Sequence, residues 1–416
     1  MDICILGAGP GGAIAALHLA RAGQPCLLLD KATFPRDKIC GDALSGKVLA
    51  ELRHLGGPLL QRLAAMAQPN ASWGIDFFAP NGRQLHVPFK APGNAAAPAE
   101  GYVVKRLDFD NLLIEEVRQQ PLIEFRENCD VARIERTATG WRLFDKPGQE
   151  LATCRLLLVA NGAQSAFVRQ VAGHALAPAH HCAGLRTYYR GVRGLSANNF
   201  IELHFLPELL PGYLWIFPLP NGEANVGVGM LSRDVARHHI KLREKFADIL
   251  ATNPTLRERF ADAEGVGPVR GWGLPLGSRR LALSGDGYLL LGDAGSLIDP
   301  FSGEGISHAM VSGRHAANWA GQALAAQDTS ASFLKGYDAA VYRRLGQELR
   351  LSTIMQRLLR FPSLFNFIAN RAVANPTLAE TLSMMFVDID LRARLKQPKF
   401  YLQLLFGGQK RTPLNS

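Results

Sequence analysis

The chain has 416 residues, 47% of them hydrophobic and 20% charged, with a formal net charge of +10. Such a length and composition exclude a disordered chain and a single small module, and predict two or three globular domains with large cores. Six cysteines, at positions 4, 26, 40, 129, 154 and 182, show neither C-x-x-C nor zinc spacing, so no metal site is expected, and reduced thiols in a cytoplasmic protein are. The sequence opens directly in an apolar strand, which predicts no signal peptide, and no apolar run approaches the roughly 18 residues of a membrane span.

The strand from Asp2 to Leu6 runs into Gly7-Ala8-Gly9-Pro10-Gly11-Gly12 and a helix over about 11–22. Gly7 makes the turn, Gly9 lets the backbone approach a pyrophosphate, and Gly12 lets the helix pack closely on the strand. The helix then offers its positive end and free N–H groups to the phosphates. A second strand, Cys26 to Leu29, ends in Asp30, which suits a ribose hydroxyl. Strand, turn, helix, strand and acid in this order predict a dinucleotide site.

Further along, 72–92 reads as short strands around Pro80-Asn81-Gly82, and Tyr102 to Arg106 leads into a helix from about Asp108. Strands are expected near 123–134 and 141–145, and Arg155 to Ala160 is a short buried strand ending at Asn161-Gly162-Ala163. From 183 to 230 the pattern becomes antiparallel, with strands at Leu203–Leu206, Tyr213–Leu219 and Ala224–Met230 and a hairpin turn at Pro220-Asn221-Gly222-Glu223. Tyr213, Trp215 and Phe217 alternate and so share one strand face, as the wall of an apolar tunnel or as ordinary sheet core. Gly292-Asp293-Ala294-Gly295 follows, then Pro300, Gly303 and Gly305. A chain that leaves its nucleotide unit and returns nearly three hundred residues later to close on a ribityl chain and an isoalloxazine ring binds FAD; a nicotinamide dehydrogenase has no use for that return.

The expected architecture is α/β: a Rossmann-like FAD-binding domain with an inserted antiparallel-sheet substrate domain and a helical C-terminal region. The FAD-binding domain takes 1–70, 101–175 and 275–325, the sheet domain 71–100 and 176–274, and the helical region 326–416. Residues 331–416 carry thirteen Lys and Arg against five Asp and Glu, a balance of +8 that holds most of the chain's excess charge. Apolar clusters at Leu358-Leu359, Phe361–Phe367, Met384–Phe386 and Phe400–Phe406 lie among these charges, in stretches broken at Pro362, Pro376 and Pro398. No base-stacking aromatics line a coherent basic groove, so nucleic acid is not an expected partner. A peripheral membrane contact through 331–416 competes with helices packed on the main body whose basic faces are solvated.

Together, Gly7 to Gly12, Asp30-Lys31, the Lys38-Ile39-Cys40-Gly41 loop, Pro211-Gly212-Tyr213-Leu214-Trp215-Ile216-Phe217-Pro218 and Gly292 to Ile306 resemble the geranylgeranyl reductase family, within the para-hydroxybenzoate hydroxylase-like group of FAD enzymes. The resemblance covers nearly the whole chain. It implies that Gly7, Gly9 and Gly12 hold the pyrophosphate, Asp30 the adenosine ribose and Asp293 the ribityl hydroxyls. Arg106 would approach FAD from a helix start, and a strand around Val131 would pass the adenine. The turn through Pro300, Gly303, Gly305 and Ile306 would bring N–H groups to the flavin pyrimidine, and Lys31 and Gly41 complete the cofactor set. Aromatic hydroxylases of the group carry Asp-Gly where this chain has Asn161-Gly162, and halogenases carry Trp-x-Trp-x-Ile-Pro where it has Trp73-Gly74-Ile75, so both readings weaken.

The resemblance also places Cys40 near substrate. A free thiol, with an unperturbed pKa of about 8.5, is mostly protonated at neutral pH and can donate the proton that alkene reduction requires, unless Cys40 only packs beneath its glycine turn. The expected function is FAD-dependent reduction of carbon–carbon double bonds in a prenyl-like or other hydrophobic substrate, lined by Tyr213, Trp215 and Phe217. The alternatives are an FAD monooxygenase acting on an apolar or aromatic molecule and a flavin-binding carrier without turnover. No second dinucleotide fingerprint appears, which leaves NAD(P)H, ferredoxin or reduced flavin as the electron donor.

Overall fold

A computed structural model describes residues 1–56, 58–67, 70–89 and 99–374. Its first sheet has six strands in the order Ser284–Gly285, Tyr288–Leu290, Leu156–Val159, Ile3–Leu6, Cys26–Leu29 and Ile123–Arg126. All neighbours are parallel except the first pair. A parallel sheet must be covered on both faces, and its central strands read as unbroken apolar runs. Ile3 and Ile5 face the helices Pro10–Arg21, Arg106–Arg118 and Ile306–Ala325, whereas Cys4 and Leu6 face a three-stranded antiparallel sheet, Arg133–Thr137, Gly140–Phe144 and Glu150–Cys154. The helices Pro10–Arg21 and Ile306–Ala325 meet through small residues: a Cβ at Gly313 would lie 2.3 Å from Gly11 O.

The second large sheet has seven strands in the order Glu264–Pro275, His181–Arg190, Glu223–Leu231, Tyr213–Pro218, Ile201–His204, Gly74–Phe78 and Gln84–Pro88. It is antiparallel except where Ile201–His204 runs parallel to Gly74–Phe78. The turn between Tyr213–Pro218 and Glu223–Leu231 needs two positive φ values, 60° at Asn221 and 70° at Gly222. Leu214 and Ile216 pack against a helical layer that includes Phe246 and Ile249, while Tyr213, Trp215 and Phe217 face the other way, toward Phe205 and Phe301. This second face meets the nucleotide-binding unit.

The C-terminal region continues as the helix Ala331–Leu358 and, beginning at Pro362, the helix Pro362–Ala374. The expected aromatic cluster there divides. Phe365 turns inward, edge-on to Phe205 at 5.0 Å, whereas Phe361 and Phe367 are 61% and 52% exposed. The clusters expected at 384–386 and 400–406 lie outside the described residues. Among the described residues, no helix is long and apolar enough to cross a membrane. All six cysteines are unpaired.

Candidate functional site

The glycine turn has the shape a pyrophosphate needs. Gly7 has φ of 101°, and a Cβ on it would lie 2.6 Å from Ala160 O. One on Gly12 would lie 1.9 Å from Gly7 O, so neither position admits a side chain. Gly9 differs: a Cβ there would meet only Arg36 Nη2, at 3.7 Å, and would fill the space in front of the helix. That helix has no side-chain cap and no acid in its first turn, which leaves its N–H groups for a ligand. Arg36, anchored on Asp110 at 2.6 Å, adds a cation that the sequence alone did not single out.

Asp30 follows Cys26–Leu29 and is buried. Its carboxylate accepts from Ala8 N–H at 2.7 Å and Ala32 N–H at 2.8 Å, binding the first turn to the second. Cys129 N–H donates to Asp30 O at 2.8 Å and draws the next loop alongside. Val131 lies in that loop, half-buried, and not in a strand as expected; the regular strand ends at Arg126 and the next begins at Arg133. Asp30 takes that loop's backbone in place of a continued ladder. Lys31 is exposed.

At the other end, Gly292 has φ of 55° and Ser296 of 54°, a sharp turn that presents Asp293 to the cleft. Lys38 Nζ lies 3.3 Å from Asp293 Oδ2 and 5.3 Å from the centre of the Trp272 ring. Gly305, where a Cβ would stand 3.5 Å from Asp293 Oδ1, caps the helix Ile306–Ala325 without a side-chain bond, so its first-turn N–H groups also remain free. Gly303, at φ of 72°, passes beneath Tyr213, whose hydroxyl donates to Ser302 O. Pro300 O accepts from Gln356 Nε2 at 2.6 Å. Behind this turn, Ser45 and Lys47 hold Glu304, and Lys47 and His308 hold Glu348. Burial disfavours the charges of Lys47 and His308, but the two glutamates outweigh it and raise both pKa values.

Between the two ends lies the loop of Cys40, Gly41 and Asp42. Asn225 Nδ2 donates to Cys40 O and to Asp42 Oδ2, both at 2.8 Å; Tyr188 OH donates to Asp42 Oδ2 at 2.7 Å and Arg186 Nε to Cys40 O at 3.2 Å. Trp215 Nε1 donates to Asn225 Oδ1 at 2.9 Å, so the aromatic strand and the cysteine loop form one network. Gly41 is pressed on the aromatics: a Cβ there would lie 2.8 Å from Phe217 Cε2 and 3.6 Å from Trp215 Nε1. Burial pushes the Cys40 thiol up against the opposing pull of the Arg106 guanidinium. Arg106 itself is buried and bidentate on Asp110, at 2.7 Å for each bond, which sets it behind the thiol. Asp42 is fully buried at φ of 68°; burial raises its pKa to about 6 while Arg186, Tyr188 and Asn225 hold it down. Asp42, Arg186, Tyr188 and Asn225 were not anticipated, although a lone Asn inside the apolar run Ala224 to Met230 was a signal.

Open space at Gly9, two uncapped helix starts and an acid at each end of one cleft fit an elongated dinucleotide. The FAD binding domain family matches residues 1–184. The chain is 30% identical over 334 residues to a menaquinone reductase of Mycobacterium tuberculosis, covering 76% of this chain and 75% of that one. It is 31% identical over 349 residues to digeranylgeranylglycerophospholipid reductase 1 of Methanopyrus kandleri, covering 81% and 84%. A geranylgeranyl bacteriochlorophyll reductase-like protein from Thermoplasma acidophilum shares the fold, with a TM-score of 0.79, 20% identity and coverage of 95% and 98%. The 30% and 31% identity to the two reductases over most of both chains, joined to the dinucleotide cleft, shows that this chain belongs to the geranylgeranyl reductase family of FAD-dependent oxidoreductases.

Proposed function

We propose that the protein reduces carbon–carbon double bonds in a prenyl-like chain held between the Cys40 loop and the face of Tyr213, Trp215 and Phe217. Bound FAD, once reduced, supplies the hydride. The observation that supports the reading is the close approach of Gly41 to Phe217 and Trp215, which brings the loop that carries Cys40 onto a row of aromatic rings. An isolated alkene has no polar handle, so apolar walls must hold it and a nearby acid must complete its reduction. Burial keeps Cys40 neutral and its proton available, and Arg106 behind it steadies the sulfur after transfer. The names of the two curated relatives, one a quinone reductase and one a prenyl-lipid reductase, support a hydrophobic, chain-bearing substrate.

The test is anaerobic. Photoreduced protein is mixed with a C20 prenyl alkene, and flavin reoxidation and the saturated product are followed together. Cys40→Ala is expected to leave FAD binding and flavin reduction intact while slowing product formation about 10²–10⁴-fold, with Cys40→Ser in between. Wild-type rates in both variants remove the acid role from Cys40. Failure of any alkene to reoxidise the flavin, with oxygen use that appears only when substrate is added, points to the monooxygenase.

We also infer a peripheral membrane contact, supported by Ile354, Leu358, Phe361 and Phe367, all exposed at the end of the long helix and on the helix that follows, with Arg360 and Arg371 among them. A bilayer supplies both an apolar phase and anionic head groups to such a surface.

A further inference from the structure

On the seven-stranded sheet, alternate residues face the nucleotide-binding unit, because Leu185, Leu214, Val226 and Val228 pack into the helical layer on the other side. Strand pairing aligns four of the inner positions in one row: Trp272 opposite Gly184, Gly184 opposite Gly229, and Gly229 opposite Tyr213. Two aromatic rings therefore stand at the ends of a row whose middle is bare backbone. Strands about 4.8 Å apart make that row roughly 14 Å long. Both ends reach groups placed above at the flavin end of the cleft. Tyr213 OH donates to Ser302 O, and Lys38 Nζ, 5.3 Å from the centre of the Trp272 ring, lies 3.3 Å from Asp293 Oδ2. Arg186, in the next row opposite Gly227, donates to Cys40 O, so the row also runs beside the cysteine loop.

Glycine weakens a strand interior, so each one there needs a reason. Some have a packing reason: a Cβ on Gly227 would lie 2.2 Å from Trp215 Cζ2, and one on Gly273 2.5 Å from His181 Nε2. Gly184 and Gly229 have none of that kind, and neither has a positive φ. A Cβ on Gly184 would meet Leu274 Cδ1 at 3.5 Å and two backbone oxygens at 3.6 and 3.8 Å, all ordinary contacts. One on Gly229 would meet Cys182 Sγ at 3.3 Å, a side chain that can give, and Trp215 Cζ3 at 3.9 Å. A methyl fits at each position, yet neither carries one. The same contacts outline a shallow groove, with Trp215 along one side and Leu274 and Cys182 along the other. These three walls and the end rings Tyr213 and Trp272 are only partly buried, so the groove is open. Trp272 Nε1 is buried with no hydrogen-bond partner among the described residues, a donor at the end of the groove that the fold itself does not use.

We propose that Gly184 and Gly229 are specificity-determining residues, the floor on which a methyl-branched segment of the substrate lies across the sheet between Trp272 and Tyr213. This rests on the reading of the Tyr213 face as the site of a prenyl-like chain. A trisubstituted alkene is flat and carries its methyl branch in the same plane, so it needs a broad and shallow bed. Bare backbone between two rings supplies one. An unbranched chain leaves part of that floor uncovered and forfeits the dispersion contacts. A methyl on either glycine rises into the space of the branch, so the pair selects by fit.

Farnesol and an unbranched alkenyl alcohol of the same chain length, titrated into the FAD-loaded protein and read from the flavin absorbance, test this. Wild type is expected to prefer farnesol by about tenfold or more, the usual effect of a methyl group that an apolar pocket fits. Gly184→Ala is expected to erase that preference by weakening farnesol about tenfold, with FAD affinity, the urea midpoint and the unbranched alcohol's Kd as in wild type. Gly229→Ala gives the same result and serves should Gly184→Ala not fold. Unchanged farnesol affinity in both variants overturns the proposal. So does weakened FAD binding, which sets the glycines against the flavin, and so does an equal loss for both alcohols, which makes the new methyl a general obstruction. A wild type that binds neither alcohol sinks the prenyl reading and the groove with it. Because the titration reads binding and not turnover, a protein that binds farnesol by this pattern but reduces no alkene loses the catalytic reading alone.

Discussion

Two glycines three positions apart separate what the turn needs in order to fold from what it needs in order to bind. In Gly12→Ala the new methyl would lie 1.9 Å from Gly7 O and 3.1 Å from Gly7 C, both backbone atoms that cannot swing aside. The strand and helix must part, at a cost of about 3 kcal/mol or more, the upper range of overpacking. In Gly9→Ala the methyl meets only the far end of Arg36 at 3.7 Å, and φ of −68° with ψ of −178° suits alanine. The apoprotein is then expected to keep its stability or gain roughly 0.4–1 kcal/mol from a less flexible unfolded chain. The same methyl occupies the space a pyrophosphate must enter; losing one or two charged hydrogen bonds, each worth roughly 1.5–3 kcal/mol, weakens FAD binding at least tenfold. At roughly 2.1 cal/mol/K of unfolding entropy per residue, 1 kcal/mol is about 1 °C in a chain of 416 residues, so chemical denaturation resolves these differences better than melting. The assay pairs urea unfolding of the flavin-stripped proteins with FAD titration by fluorescence quenching. Wild-type FAD affinity in Gly9→Ala, or a wild-type urea midpoint in Gly12→Ala, would refute the reasoning.

Three further outcomes are expected. Asp42, displaced from the ordinary 3.8 to about 6, favours the fold most when protonated, and that contribution is lost as pH rises through about 6. At 1.36 kcal/mol per unit its ionisation costs roughly 3 kcal/mol between pH 4 and 7, and Asp42→Asn should gain on wild type over that range; urea midpoints that stay parallel from pH 4.5 to 7.5 contradict this. Lys47→Met leaves Glu304 and Glu348 without their buried cation and is expected to cost about 3–5 kcal/mol, largely recovered in Lys47→Met/Glu348→Met, as a double-mutant cycle will read. Phe361→Ser/Phe367→Ser should reduce co-sedimentation with anionic vesicles at low salt, and equal sedimentation in the variant removes the membrane contact from this surface.

Local sequence was sufficient where one physical requirement acts on neighbouring residues. The strand Cys26–Leu29 and the turn at Asn221-Gly222 stand where they were expected, because an unbroken apolar run in a parallel sheet and two adjacent positive φ values are short-range demands. The FAD grammar was legible for the same reason: close approach to a phosphate excludes side chains at positions that can be counted along the chain. Glu264–Pro275 was not legible. Its Gly265, Gly267, Pro268, Gly271 and Gly273 argue against a strand, and pairing with His181–Arg190 overrides them; Gly273 is needed there because a Cβ would lie 2.5 Å from His181 Nε2. Nor could any local pattern give the parallel pairing of Ile201–His204 with Gly74–Phe78 across more than a hundred residues.

The sequence by itself determined the cofactor class and the alternation that turns Tyr213, Trp215 and Phe217 to one side, since both are written in spacing, and its motifs resembled the family to which the chain belongs. Only the tertiary structure decided the company these residues keep. Cys40 has Arg106 behind it and Asn225 at its carbonyl because strands and helices far apart in the chain converge on one loop. Charge and proton affinity depend on burial and on neighbours across space, and neither distance is measured along the chain.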